Sequence, residues 1–373
     1  MKKKIHNYDF LIVGAGLIGT LAALNLIKNK YKVLIIDKGF NNLKDNRTLA
    51  VNANSKDFLI NLGLWSQLNS KPEDIKKIEI SDNINNDPLI FENLDENMGN
   101  VILNRELLSI ARSKLLKKKS LIFNVNISID DIAPQKIIDI KKKEYVFNGI
   151  ILSLGKNYTN NSIIKKILIP SSHKAYVGFF FHSKNHNQKA YEIFTSSGPL
   201  AALPSPYKNK KKSTFIYSSK NNISNLKIKK LLKKYFSTSH GLIKLEDKYH
   251  QYQISPHISQ CRSNKYFLIG DSLRSIHPVA GQGWNLGIKD IQSLTKIIYL
   301  NDLNDPNLIK KYYNERVIEN SIYLAFTSII NLLYENQNFF NNSIVKLGFK
   351  ILKKSNYLRA KFIKQAMGRL NLI

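Results

Sequence analysis

Two glycine-rich segments hold the residues best suited to chemistry. One is Gly14-Ala15-Gly16-Leu17-Ile18-Gly19. The other runs from Gly270-Asp271 through His277-Pro278-Val279-Ala280-Gly281-Gln282-Gly283-Trp284-Asn285-Leu286-Gly287. Each follows an apolar stretch and leads into a helical pattern. A helix N-terminus leaves backbone N–H groups without intrahelical partners, and a glycine loop lets an anionic or electron-rich group approach them. In the first segment, Gly14 serves the tight turn, Gly16 the close approach to a pyrophosphate, and Gly19 the packing of helix on strand. Asp37, 23 positions beyond Gly14, ends the next apolar run and is placed to accept a hydrogen bond from a ribose hydroxyl. Two nucleotide-type loops about 250 residues apart predict one long cofactor held at both ends.

The rest of the sequence narrows the chemistry. It has no second G-x-G-x-x-G followed by an acid, which argues against a reductase with separate FAD and NAD(P) domains. It has no G-x-S-x-G elbow and no P-loop, so hydrolase and NTPase readings lack support. The single cysteine, Cys261, rules out a disulfide framework and fits a reducing, cytoplasmic compartment. The eight histidines contain no HExxH, and no metal is expected. The net charge of +30 comes from lysines spread along the whole chain rather than from one aromatic-studded patch, so nucleic acid is not an expected partner. The apolar run after the basic Met1–Lys4 is too short for a signal peptide. No run of 18 apolar residues predicts a spanning helix.

The elements that must position the loops read as an α/β fold. Strands are expected at Tyr8–Val13, Tyr31–Ile36, Leu121–Ile127, Lys136–Ile140, Glu144–Phe147 and Gly149–Leu152, and helices at Leu17–Lys28 and Asn104–Leu116. Between them, 46–65 reads as a polar loop and a short helix. From Lys174 to Ser219 the texture turns alternating and aromatic, which predicts an inserted antiparallel sheet. The expected organisation is a discontinuous Rossmann-like domain (1–70, 100–165 and 260–305), a sheet domain that would bind substrate (71–99 and 166–259), and a helical C-terminal region (306–373).

Gly14–Gly19, Asp37, Arg47 and above all Gly270-Asp271 with HPVAGQGWNLG resemble the class A flavin-dependent aromatic hydroxylases. The segments NRTLAVNANSKDFLINLGLW, AYEIFTSSGPLAALPSP and SNYLRAKFIKQAMG narrow the resemblance to the ubiquinone-biosynthesis hydroxylase family (UbiH-like). It covers nearly the whole chain. It implies a glutathione-reductase-type FAD domain, with Gly14, Gly16 and Gly19 at the pyrophosphate and Asp37 at the adenosine ribose. Arg47 and Arg105 would lie near the cofactor, Asp271 at the ribityl chain and Pro278 against the isoalloxazine. The N–H groups of Gly283, Trp284 and Asn285, following Gly281, would face the flavin N1–O2 edge, where a helix dipole stabilises the charge of the reduced ring. The implied activity is monooxygenation of a polyprenylated phenol or quinol by O2 through a flavin hydroperoxide. The side chains orient the ring and exclude water, and none is assigned as catalytic.

Two departures bear on the electron donor, which is NAD(P)H or a protein reductase. Leu154 stands where the family carries an aspartate, and Ser272, Leu273 and Arg274 stand where it carries small residues and a histidine. They are read either as an altered donor interaction or as drift at positions where a backbone contact suffices. Two rival readings stand beside the quinone one: a hydroxylase of a soluble aromatic, and, motivated by Leu154, a non-catalytic flavin-holding member of a quinone-synthesis complex. His277 reads as loop scaffold, and the remaining singled-out histidines as surface or packing residues. Trp284 is read either as stacking on flavin or substrate or as capping the core. The uncharged Asn320–Tyr334 reads as a core or dimer helix. The basic amphipathic stretch beyond it reads as a peripheral contact with the inner face of a membrane. Other ubiquinone-biosynthesis proteins are possible partners.

Overall fold

The structure, a computed structural model, describes residues 4–39, 47–85, 87–156, 158, 162–207, 209–263, 265–277, 281–335 and 338–369. Its helices among these are α1 (Leu17–Lys28), α2 (Ala53–Asn61), α3 (Asn104–Lys117), α4 (Asn225–His240), α5 (Gln282–Leu300), α6 (Leu308–Glu335), α7 (Phe339–Lys354) and α8 (Asn356–Ala366).

One sheet is parallel along its main path. Its strands lie in the order Tyr266–Leu268, Lys143–Leu152, Ile5–Val13, Val33–Ile36 and Leu121–Ile122, with Ile138–Ile140 as an antiparallel addition. Val33–Ile36 is buried at every position, as expected where both faces of a sheet are covered. Two expected pieces, Glu144–Phe147 and Gly149–Leu152, are one strand. Asn148 points outward, so it does not interrupt the ladder. The expected strand Leu121–Ile127 shrinks to two residues, because Asn124 takes a positive φ of 57° and turns the chain.

The second sheet has seven strands, in the order Ile243–Gln253, Lys174–His182, Lys212–Ser219, Gly198–Pro204, Lys189–Thr195, Lys77–Asp82 and Leu89–Glu92. It is not purely antiparallel as expected: Lys77–Asp82 pairs in parallel with Lys189–Thr195. A strand supplied from so far upstream needs no hairpin, so its direction is not tied to that of its neighbour. Helix α4, absent from the sequence reading, covers one face. Ile228, Leu232 and Phe236, spaced by four, pack against Tyr176, Phe180, Leu200, Phe215 and Tyr217. On that spacing they form one stripe on a helix that is otherwise rich in lysine.

The expected polar loop at 46–65 contains a strand, Thr48–Val51. It pairs with Gly99–Leu103, which also pairs with Glu73–Ile75. A further small sheet joins Ile164–Leu168, His257–Cys261 and Arg274–Ser275. Helix α6 is stitched to the edge of the parallel sheet: Tyr312 and Tyr313 donate to the carbonyls of Leu268 and Tyr266 at 2.9 and 3.0 Å. By length and composition α6 could cross a membrane. Its buried side, however, carries Arg316, Glu319 and Asn320, which are packed against protein.

Candidate functional site

The first loop is built as its spacing predicts. Gly14 has φ 105°, and a Cβ there would collide with the Ser153 carbonyl oxygen. A Cβ on Gly19 would collide with the Gly14 carbonyl oxygen. A Cβ on Gly16 would meet nothing within 4 Å. Two glycines therefore serve internal packing, while the third borders open space at the N-terminus of α1. The Asp37 carboxylate closes the turn: Oδ2 accepts from Ala15 N at 2.6 Å and Oδ1 from Gly39 N at 3.1 Å. Each oxygen keeps further acceptor capacity for a ribose hydroxyl. Arg112 on α3 was not singled out in the sequence. Its buried Nε and Nη2 both donate to Ala15 O, at 2.9 and 2.6 Å. Burial lowers its pKa, and Asp37 opposes that shift. The available signal was a charge on the apolar stripe of Leu107, Leu108, Ala111 and Leu115.

The second loop is pinned to the first. Ile18 projects into a notch formed by Gly270 and Gly287: a Cβ on Gly270 would lie 3.1 Å from Ile18 Cγ2, and one on Gly287 would lie 2.6 Å from Ile18 Cδ1. Asp271 follows in a short 3-10 turn, Gly270–Ser272. Solvent reaches its side chain, yet surrounding protein crowds it enough that desolvation raises its pKa. Arg274, Lys156, His257 and Arg47 oppose that rise. Gly281 takes φ 62° as the N-cap of α5, and Gly283 has only Ile276 near its missing Cβ, at 3.9 Å. The Asn285 side chain has a structural task. It donates to Ala50 O and Gly281 O at 2.9 and 3.1 Å and accepts from Asn52 N at 3.2 Å. Trp284 is half-buried and packs on the main core, with no polar partner for its Nε1 among the described residues. Pro278 lies outside the described residues.

Arg47 and Arg105 bridge to the second sheet. The Arg47 guanidinium lies 5.0 Å from the centre of the Tyr252 ring, and Arg105 Nη2 lies 3.4 Å from Tyr207 Oη. Arg47 also acts electrostatically on Asp271 and Lys156, which places it on the second-loop side of the site.

The two departures from the family pattern touch each other. Leu154 N donates to Ser272 Oγ at 2.5 Å, and Tyr158 donates to Ser272 O at 2.8 Å. Leu273 and Arg274 are buried, so they face protein rather than an external donor. His277 is buried too. Neither ring nitrogen has a partner among the described residues, and burial, then His173 at 5.4 Å, lowers its pKa to about 4. His173, His182, His186, His240 and His257 are packing residues in the interior rather than on the surface. His182 and His186 stand four apart, a spacing the sequence reading passed over. Among the described residues, though, no group of three or more His, Cys, Asp or Glu could hold a metal.

The residues present fit FAD. One helix N-terminus with open backbone and a ribose-type carboxylate adjoins a second helix N-terminus fronted by Asp271. A family model described as an FAD binding domain matches residues 204–319. Ubiquinone hydroxylase UbiL of Rhodospirillum rubrum is 23% identical, covering 98% of this chain and 90% of its own length. The mitochondrial ubiquinone biosynthesis monooxygenase COQ6 of Drosophila melanogaster is also 23% identical, over 98% and 90%. Among solved structures, p-nitrophenol 4-monooxygenase PnpA from Pseudomonas putida DLL-E4 superposes with a TM-score of 0.74 at 14% identity, covering 98% of this chain and all of that one. Fold and site thus define a flavoprotein of the FAD-dependent monooxygenase type. Within that class, the chain is similar over nearly its whole length to FAD-dependent hydroxylases of the UbiH-like type.

Proposed function

We propose that the protein is an FAD-dependent monooxygenase of ubiquinone biosynthesis, hydroxylating the aromatic ring of a polyprenylated phenol or quinol intermediate. The observation that carries this reading is the locking of the two glycine loops on Ile18, which makes one site from segments at opposite ends of the chain. FAD, when bound, supplies the redox chemistry that activates O2; one oxygen atom enters the ring and the other leaves as water, on electrons from NAD(P)H or a protein reductase. The side chains bind and orient. The α1 N-terminus and Gly16 take the pyrophosphate, and Asp37 the ribose. The α5 N-terminus presents its dipole to negative charge on the ring system. Arg47 and Arg105 tie the sheet that would cover the substrate to the cofactor side, and that closure keeps water out.

A lipid-tailed substrate suits a protein docked on the inner face of a membrane. Ile318, Ile322, Phe326 and Ile329 of α6 are exposed, and so are Phe340, Ile344, Leu347 and Ile351 of α7, with Lys346, Lys350, Lys353 and Lys354 nearby in sequence. An apolar face with a basic fringe favours anionic lipid. The test is reconstitution with FAD, O2 and a polyprenylated phenol, using NADPH or a flavin reductase as donor. A product heavier by one oxygen atom is expected. Full flavin loading without product from any prenylphenol would refute the reading. Sedimentation with anionic but not neutral vesicles tests the membrane contact.

A further inference from the structure

Arg274, which departs from the family pattern, lies in a buried ionic network. Its Nη1 donates to Asp290 Oδ2 at 2.7 Å and to Gly270 O at 3.2 Å. Asp290 is fully buried and accepts from Gly270 N at 2.9 Å and from Arg316 Nε at 2.9 Å. Arg316 also pairs with Glu319, which accepts from Lys289 at 2.6 Å. Both backbone polar atoms of Gly270 are thus held by side chains, one from the Asp290 carboxylate and one from the Arg274 guanidinium. Gly270 is the residue directly before Asp271. Among the described residues, Arg274, Arg316 and Lys289 face the carboxylates of Asp290 and Glu319 in this network. Arg274 is also the foremost of the cations that oppose the burial-driven rise of the Asp271 pKa. His257 holds the same turn from the other side, with its Nε2 3.0 Å from Asp271 O.

We propose that Arg274, Asp290 and Arg316 form a positioning clamp that sets the Gly270-Asp271 turn for FAD and couples the C-terminal helix α6 to the cofactor site. Arg274 acts through Asp271 and touches no cofactor itself. Nη1 alone carries the Arg274 side of the clamp, since Nε and Nη2 have no hydrogen-bond partner among the described residues; removing that charge leaves the buried Asp290 carboxylate with one counter-charge fewer. This inference rests on the assignment of Asp271 to FAD, and the test separates the two.

The measurement is the FAD dissociation constant of the apoprotein, by flavin fluorescence quenching, in a double-mutant cycle. Arg274→Met, which fills the same space without charge, is expected to weaken FAD roughly ten-fold or more. In an Asp271→Asn background the same change should add almost nothing, and Arg274→Lys should restore part of the loss. Arg316→Met should weaken FAD in the same direction from a helix remote in sequence. Thermal melts of the apoproteins identify any variant that fails to fold, and Arg274→Lys serves in place of such a variant. Losses from Arg274→Met and Asp271→Asn that simply multiply would overturn the clamp alone. An Asp271→Asn protein binding FAD as tightly as the wild type would overturn both the clamp and the Asp271 assignment.

Discussion

The two glycine loops do similar work by different means. The loop at 14–19 is held by backbone sterics, with one carboxylate and one arginine closing it from outside. The loop at 270–287 is held by buried side chains: Asp290, Arg274 and Arg316 around Gly270, and Asn285 around the start of α5. A glycine cradle is specified locally and tolerates change only where the missing Cβ faces open space. A side-chain-held turn draws its geometry from partners on other elements, so it can absorb substitutions such as Ser272, Leu273 and Arg274 provided the partners change with them.

That contrast can be broken by mutation. The largest loss of stability is expected from Asp290→Asn, which leaves the buried Arg274 without its counter-charge and Arg316 with Glu319 alone; about 3–5 kcal/mol should be lost in denaturant melts. Asn285→Ala removes two hydrogen bonds between α5 and the segment 50–52 and one to Gly281 O, and should cost about 1–3 kcal/mol, loosening the second loop while leaving the first unchanged by hydrogen exchange. In the first loop the expectation is position-specific. Gly19→Ala should cost about 1–3 kcal/mol through overpacking, whereas Gly16→Ala, at φ −66° in open space, should change stability by less than about 1 kcal/mol.

A smaller, pH-dependent effect comes from three buried histidines, of which His277 lies in the second loop and His186 and His240 lie in neither. Burial lowers His186 and His277 to about 4 and His240 to about 3, from 6.5. The folded state therefore binds fewer protons than the unfolded chain below pH 6.5. Stability is full above that value and should decline progressively as the pH falls toward about 4. Melting temperature measured across that window checks this, and a flat profile would count against neutral burial of these rings.

How much was legible in advance follows the same division. Gly14, Gly16, Gly19 and Asp37 could be placed because their geometry is a matter of a few neighbouring residues between a strand and a helix. Arg112 could not, since its target, the Ala15 carbonyl, is reached only after α3 packs on α1. Arg274 read as a change in the donor contact rather than as part of a buried network, because its partners stand at 290 and 316 and nothing near it in sequence announces burial. The parallel pairing of Lys77–Asp82 with Lys189–Thr195 was hidden for the same reason. Helix α4 was visible in the spacing of Ile228, Leu232 and Phe236 but was masked by its lysines.

The central claim is that one dinucleotide is held at two ends. FAD and ADP affinities of Gly16→Val and Gly283→Val, compared with wild type, test it most directly, since neither added side chain meets protein closer than 3.9 Å at its Cβ. The account expects Gly16→Val to weaken both ligands, and Gly283→Val to weaken FAD while leaving ADP untouched. Equal loss of ADP binding in Gly283→Val, or FAD binding indifferent to that substitution, would contradict it.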